Sequence, residues 1–430
     1  MPSPDTLEFA FAETAKPLAV PTVKHASLAE ELAAFREFGT ETRQWSTPTT
    51  SHSGVEVPTF VNEFWTAKQR AASNLHEISY RACFKPQLPR FFIERLTQPG
   101  EVVYDPFMGR GTTLIEAALM GRVPYGNDVN PLSITLARPR TNPPEQKQVV
   151  KRLGEIDFTD AGEQPEDLLV FYHVDTLREI SALKKYLLTR KASNQMDQVD
   201  EWIAMVALNR LTGHSPGFFS VYTMPPNQAV SVKSQRKINE RRNQMPTYRD
   251  VEKIIAKKSN QLLKEMQREE LAKLASVANQ ARFTTATADA THELPAESVS
   301  LVVTSPPFLD IVDYATDNWL RCWFLGIDSS TVKITVPKKL EVWQEVMTNV
   351  FRELHRLLKP GGHVAFEVGE VRHGKVRLEE AVISCGLAAG LEPLLVMIND
   401  QEFTKTANCW GVENNAKGTN TNRIVVFRKK

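Results

Sequence analysis

Cysteine is scarce in this chain of 430 residues, and the four present, Cys83, Cys322, Cys385 and Cys409, are widely scattered. With no C-x-x-C pair, neither a zinc site nor a disulfide framework is indicated. No Pro-Cys pair stands at a strand end, which argues against a cysteine nucleophile there. Long hydrophobic runs are missing too. The most apolar late stretch, Ile383 to Ile398, is interrupted by Glu392 and Pro393; no secretory leader is visible, and a cytoplasmic protein without a membrane span is expected. Charge of one sign is not in excess, since the net charge is +1, so binding of a polyanion has to be argued from local distribution. Glycine is absent where phosphate-binding fingerprints need it. Gly109 and Gly111 stand as G-x-G with no third fingerprint glycine, and no G-K-[ST] follows. A dinucleotide or a nucleoside triphosphate is thereby disfavoured.

What is present is concentrated in a few segments. The run Val299-Ser300-Leu301-Val302-Val303 leads into Thr304-Ser305-Pro306-Pro307-Phe308, a strand ending in a polar residue, two prolines and a ring. Proline fixes φ and keeps the residue before it extended. The Ser305 hydroxyl and the Pro306 carbonyl are then two rigid acceptors, and Phe308, after Pro307, is a flat stacking surface. These are the parts needed to hold both N–H groups of a planar exocyclic amine, whose delocalised lone pair must be aligned with an electrophile. Stacking on Phe308 implies that a base in a duplex is turned out of its helix. The plainer alternative is a strand-to-loop exit, because Pro-Pro and Ser-Pro mark turns in many proteins.

The segment Val102 to Gly121 reads as strand, glycine turn and amphipathic helix, the first βα unit of a doubly wound fold. Asp105 at the strand end, Phe107 beside it, and the Gly109, Gly111, Thr112 and Thr113 groups at the helix start suit a ligand with a carboxylate and an ammonium, such as S-adenosylmethionine. A Rossmann-like turn of unspecified ligand is the bland alternative. The next strand, Val123 to Asn127, is followed by Asp128, placed to bind a ribose diol. Asp289, in Ala288 to Pro295, could accept from an adenine amine. Singly, such acids are more often caps or loop residues.

The D-P-F-M-G-R-G-T-T, G-N-D-V-N-P, A-D-A-T-H-E-L-P and T-S-P-P-F segments resemble motifs I, II, III and IV of the amino-DNA methyltransferases, and His76 to Pro89 is similar to their motif X. The resemblance covers residues 60–140 and 283–430. It implies a Rossmann-like methyltransferase sheet, S-adenosylmethionine as cofactor with no metal, Phe84, Lys85 and Pro86 as further cofactor-binding residues, and DNA with a flipped cytosine as partner. In that family S-P-P-[YF] accompanies N4-cytosine methylation more often than N6-adenine methylation, where Asp or Asn usually leads. The resemblance therefore implies a site-specific N4-cytosine enzyme, the modification arm of a restriction system with a cognate endonuclease as candidate partner. Such chemistry needs no cysteine nucleophile. One departure concerns order: the D-P-F-x-G-x-G-T-T style is usual in members whose catalytic motif comes first, whereas here the cofactor motif precedes it. Two alternatives stay open, an amino-methyltransferase of adenine or RNA and a silent fold serving as a specificity subunit. The intact Asp105, Gly109, Gly111, Asp128 and Ser305 argue against silence.

The fold class expected is α/β, a doubly wound sheet with an antiparallel edge and a mostly helical insertion. Residues 1–58 read as an extended, partly disordered arm with one helix at Leu28 to Phe38. Residues 59–140 and 283–430 read as the methyltransferase domain. Residues 141–282 read as an insertion of roughly 140 residues, too long for a βα loop, with helices at Leu177–Leu188, Val199–Leu211 and Tyr248–Ala275. From Lys233 to Lys273 the chain has twelve bases and about half as many acids, an excess able to neutralise phosphates. After Tyr248 a solvated helical face explains the alternating charges. Lys233, Arg236, Lys237, Arg241 and Arg242 are the candidate DNA contacts, with His214, Phe218, Phe219 and Tyr222 as candidate wedges; recognition through Asp310–Gly326 or Asn408–Asn422 is the alternative.

Overall fold

Runs such as Val299–Thr304 are apolar without alternation, the pattern of strands covered on both faces, and they form the centre of one nine-stranded sheet. The computed structural model describes residues 27–48, 55–66, 72–80, 83–223, 229–307, 314–328, 331–332, 337, 339–369, 377–400 and 421–430. Phe308 and the first 26 residues lie outside them. The strands are β1 (Arg43–Pro48), β2 (Glu56–Asn62), β3 (Val102–Asp105), β4 (Val123–Asn127), β5 (Arg282–Thr284), β6 (Val299–Thr304), β7 (Leu358–Val368), β8 (Glu392–Asp400) and β9 (Thr421–Arg428). The helices are α1 (Leu28–Ala34), α2 (Gln87–Leu96), α3 (Thr112–Leu119), α4 (Leu132–Thr141), α5 (Gln146–Glu155), α6 (Val174–Ala192), α7 (Gln198–Leu208), α8 (Val232–Arg242), α9 (Val251–Leu263), α10 (Arg268–Ala278), α11 (Tyr314–Leu325), α12 (Leu340–Leu357) and α13 (Leu378–Ala388).

The sheet order is β1-β2-β8-β9-β7-β6-β3-β4-β5. Strands β3 to β7 are parallel, and β9 inserts antiparallel between β7 and β8. From β3 the chain winds outward through β4 and β5 on one side, then returns to place β6 and β7 on the other. The sheet is therefore doubly wound, and its topological switch point falls between β3 and β6, where open α/β sheets bind ligands beyond the strand ends.

Two expectations about organisation need correction. The stretch 27–48, read as part of an arm, is built into the fold. Ser27 caps α1 by accepting from Glu30 N at 3.3 Å, Leu32 is buried, and Phe35 packs on Phe64 with ring centroids 5.2 Å apart. β1 pairs antiparallel with β2 along its length. Its sequence hides this, because Arg-Gln-Trp-Ser-Thr-Pro is held by backbone pairing at an edge and carries little apolar signal. The span Tyr248–Ala275 is two helices, α9 and α10, since Gln267 and Glu270 form a capping box that starts α10 afresh. The insertion is helical as expected, yet Trp202 and Ile203 of α7 and Ile255 of α9 share one continuous buried cluster with Tyr104, Val302 and Phe366 of the sheet. Among the described residues no helix is long and apolar enough to cross a membrane.

Candidate active site

The centre of the site is the corner where β3 and β6 end side by side. Asp105 is the last residue of β3 and is buried. Its Oδ1 accepts from Thr304 Oγ1 at 2.6 Å and from Phe107 N at 3.1 Å, so one carboxylate ties the end of β3 to the end of β6. Thr113 makes a second tie from α3, donating its hydroxyl to the Val303 carbonyl at 3.0 Å. Burial pushes the Asp105 carboxyl up to about 7, and the neighbouring Asp128 charge adds to the rise. A buried acid near neutrality is poised to take up a cationic ligand group.

Asp128, just past β4, holds the glycine turn. Its Oδ2 accepts from Gly109 N at 2.9 Å and its Oδ1 from Asn130 N at 2.9 Å, while burial raises its carboxyl above the usual range. Asn127 closes the other side. Its amide donates to the Pro106 carbonyl at 3.3 Å and the Ala286 carbonyl at 2.9 Å, and its oxygen accepts from Thr284 Oγ1 at 2.8 Å and Ala286 N at 3.1 Å. The loops after β3, β4 and β5 are thus clamped together by one buried side chain.

These loops enclose a cavity of about 270 Å³. Pro106, Phe107 and Gly109 form one wall, Asp128, Asn130 and Asp289 a polar rim, Ser305 and Pro307 a second wall, and Trp343, Val346, Met347 and Val350 of α12 an apolar face. A smaller chamber of about 30 Å³ adjoins it, sharing Tyr80, Phe107, Gly109 and Ser305 and adding Asp105, Thr112, Cys83 and Phe84. One chamber therefore offers a buried acid, and the other an apolar slot with acids at its edge. That combination suits a ligand with a charged amino-acid end and a flat nucleoside end.

The Ser305–Pro307 corner is placed by two groups that sequence inspection did not single out, Glu367 on Ser305 and Trp343 on Pro307. Ser305 hydrogen-bonds to Glu367 at the end of β7, a buried carboxyl raised by desolvation and partly restored by Ser305 and Asn422. The register of Thr304 opposite Phe366 explains the meeting. Asn422 Nδ2 donates to Glu367 Oε1 at 3.1 Å. Next in line, the Pro307 carbonyl accepts from Trp343 Nε1 at 3.3 Å. With that carbonyl engaged by α12, the Ser305 hydroxyl remains as an acceptor on the lining of both chambers. The signal for Glu367 was available in its place, one residue before the end of the strand beside β6; Trp343 read simply as a helix residue.

Several expected residues stand elsewhere. Gly111 has φ +80°, and a Cβ there would sit 2.6 Å from the Ala137 Cβ; it serves close packing of the turn on α4 and lines neither chamber. Thr113 is likewise committed to β6. Lys85 is exposed, and Pro86, the N-cap of α2, faces a separate cavity beside Arg90 and Glu116. Pro306 is buried behind Ser305. Lys233, Arg236, Lys237, Arg241 and Arg242 are exposed on α8, away from both chambers, with Arg236 paired to Asp167 at 3.2 Å and Arg242 over the Tyr222 ring at 3.7 Å. Phe218 and Phe219 are buried rather than presented as wedges, Tyr222 is half-buried, and of that group only His214 is exposed.

The class this defines is a doubly wound α/β protein with a two-chambered cavity at its switch point, and comparison with known proteins narrows it. Residues 27–138 match the family model described as DNA methylase. The Type II methyltransferase M.MvaI of Kocuria varians is 27% identical over 252 residues, 54% of this chain and 52% of that protein. M.MjaII of Methanocaldococcus jannaschii is 32% identical over 91 residues, 21% of this chain and 16% of that protein. M.BsoBI of Geobacillus stearothermophilus is 22% identical over 319 residues, 66% and 58% respectively. The chain thus spans little more than half the length of these relatives at most. Over residues 27–138 the chain is therefore similar to the DNA methylases of the N6/N4 amino type, a similarity that does not divide N4-cytosine from N6-adenine members.

Proposed function

We propose that this protein is an S-adenosylmethionine-dependent, site-specific DNA methyltransferase acting on the exocyclic N4 of cytosine, as the modification arm of a restriction system. The observation that carries this reading is the single cavity in which Asp128 and Asp289, the Gly109 turn and the Ser305–Pro307 corner face one another. Asp105 would balance the ammonium end of the cofactor, Asp128 and Asp289 would bind its ribose and adenine, and the α12 face would cover the ring. When bound, S-adenosylmethionine supplies an electrophilic methyl group. The chain's own part is alignment and charge. Ser305, donating to Glu367, keeps its oxygen lone pairs for an amine N–H. Glu367 is a buried base two hydrogen bonds from the reacting amine, able to receive through Ser305 the proton that the methylated amine sheds. The serine that leads the motif favours cytosine, and the Type II naming of the relatives favours the restriction setting.

Nucleoside mass spectrometry of DNA treated with the purified protein and S-adenosylmethionine tests the assignment. N4-methylcytosine is the expected product. N6-methyladenine would replace the cytosine assignment with the adenine one, and unmodified DNA would sink both. Ser305→Ala should lower product formation by about 10² to 10³, the usual loss for one preorganised hydrogen bond at a reacting centre, with cofactor binding kept.

A further inference from the structure

Residues 75–79 lead up to the site as a strap, partly buried, whose carbonyls are held by arginine side chains. The Leu75 carbonyl accepts from Arg140 Nη1 at 2.9 Å. Those of His76 and Ile78 accept from Arg110 Nη1 at 3.3 and 2.9 Å. The Ser79 carbonyl accepts from Arg321 Nη2 at 2.9 Å. The three arginines come from the glycine turn, α4 and α11. Arg140 and Arg321 are 0% and 7% exposed, and buried cations are costly unless fully hydrogen-bonded. So much buried charge on so short a strap calls for a reason.

The reason lies at the strap's end. Tyr80 follows Ser79 directly, lines both chambers, and places its Cε1 3.5 Å from where a Cβ on Gly109 would lie. Arg321 sits on the helix entered soon after the Ser305–Pro307 corner, with its Nη1 anchored on Asn318 Oδ1 of the same helix at 3.0 Å. We propose that Arg321 is a positioning residue that links α11 to Tyr80 through the Ser79 carbonyl, so that the helix following the target corner sets the wall of the cofactor cavity. This rests on reading that cavity as the S-adenosylmethionine site. It touches neither ligand itself.

Calorimetric titration of S-adenosylmethionine into the full chain tests it, using Arg321→Met, Arg321→Lys, Tyr80→Ala and the Arg321→Met/Tyr80→Ala double variant, with melting curves as the check on folding. Arg321→Met should weaken binding about tenfold, within the range of coupled neighbours, and Arg321→Lys should regain part of the loss. The double variant should bind no worse than Tyr80→Ala. Fully additive losses, or unchanged binding in Arg321→Met or Tyr80→Ala, would overturn the link while leaving the cavity's ligand intact. Should Arg321→Met fail to fold, Asn318→Ala takes its place in the cycle, and additivity there is equally fatal. No binding by the parent protein would overturn the ligand reading and the inference with it.

Discussion

Asp105 shows how a single side chain can serve structure and ligand at opposing costs. Its carboxyl rises from 3.8 to about 7 on folding. Between about pH 4 and 7 the native protein therefore keeps a proton that the unfolded chain has lost, and stability falls as pH rises through that window, with the full cost present above 7. Asp105→Asn preserves an oxygen for Thr304 and Phe107 N but removes the charge. Its melting temperature should exceed the parent's at pH 8, and the gap should narrow toward pH 4; a constant gap would show that Asp105 is not the titrating group. The same substitution should abolish S-adenosylmethionine binding in a titration, because the small chamber loses the carboxylate that balances the ammonium. In the parent, affinity should increase with pH up to about 7, as the acid ionises.

At the level of elements, the motif-bearing strands and turns were legible because they violate ordinary surface chemistry. An acid at the end of a wholly apolar strand, or Ser-Pro-Pro after one, demands a partner that local structure does not supply. The supports were illegible for the converse reason. Trp343 and Arg321 lie in amphipathic helices where any large residue would satisfy the pattern, and their contacts depend on which loop the sheet brings opposite. Gly111 was legible as a required glycine but not for its cause, which is Ala137 across the turn. Gly111→Ala should destabilise the fold by about 1–3 kcal/mol through overpacking, measured by urea denaturation, and Ala137→Gly should recover part of it. Trp343→Phe keeps the ring against the cavity and deletes only the donor to Pro307. It should reduce the methyl-transfer rate while leaving S-adenosylmethionine affinity near the parent value in calorimetry; equal losses in both would assign the indole to the ligand and not to the corner.

Across the whole molecule, α8 stands apart in charge. Its side chains pack little, with Gln235 the buried one, and Gln235 and Asn239 moor it through the Tyr222 and Val170 carbonyls at 3.1 and 2.8 Å. Arg241→Ala with Arg242→Ala should weaken DNA binding and reduce the slope of log affinity against log salt by about 2. An unchanged slope would return the helix to the status of a solvated face. The other large-scale feature is the pairing of β4 with β5, joined by a contact from Thr284 Oγ1 to the Gly126 carbonyl across 158 residues of chain. During synthesis at about 5–20 residues per second, β4 emerges on the order of ten seconds before the strand that covers its edge, and Val299 of β6 later still. The buried apolar residues of α7 and α9 arrive in that interval, and we predict that the helices that complete the core are also what first shields the half-made sheet. Chains arrested before Arg282 already hold α7 and α9 and should stay soluble, whereas chains arrested before Gln198, which lack both, should partition into the insoluble fraction; insolubility of both would deny the insertion a role as intramolecular chaperone for the sheet it divides.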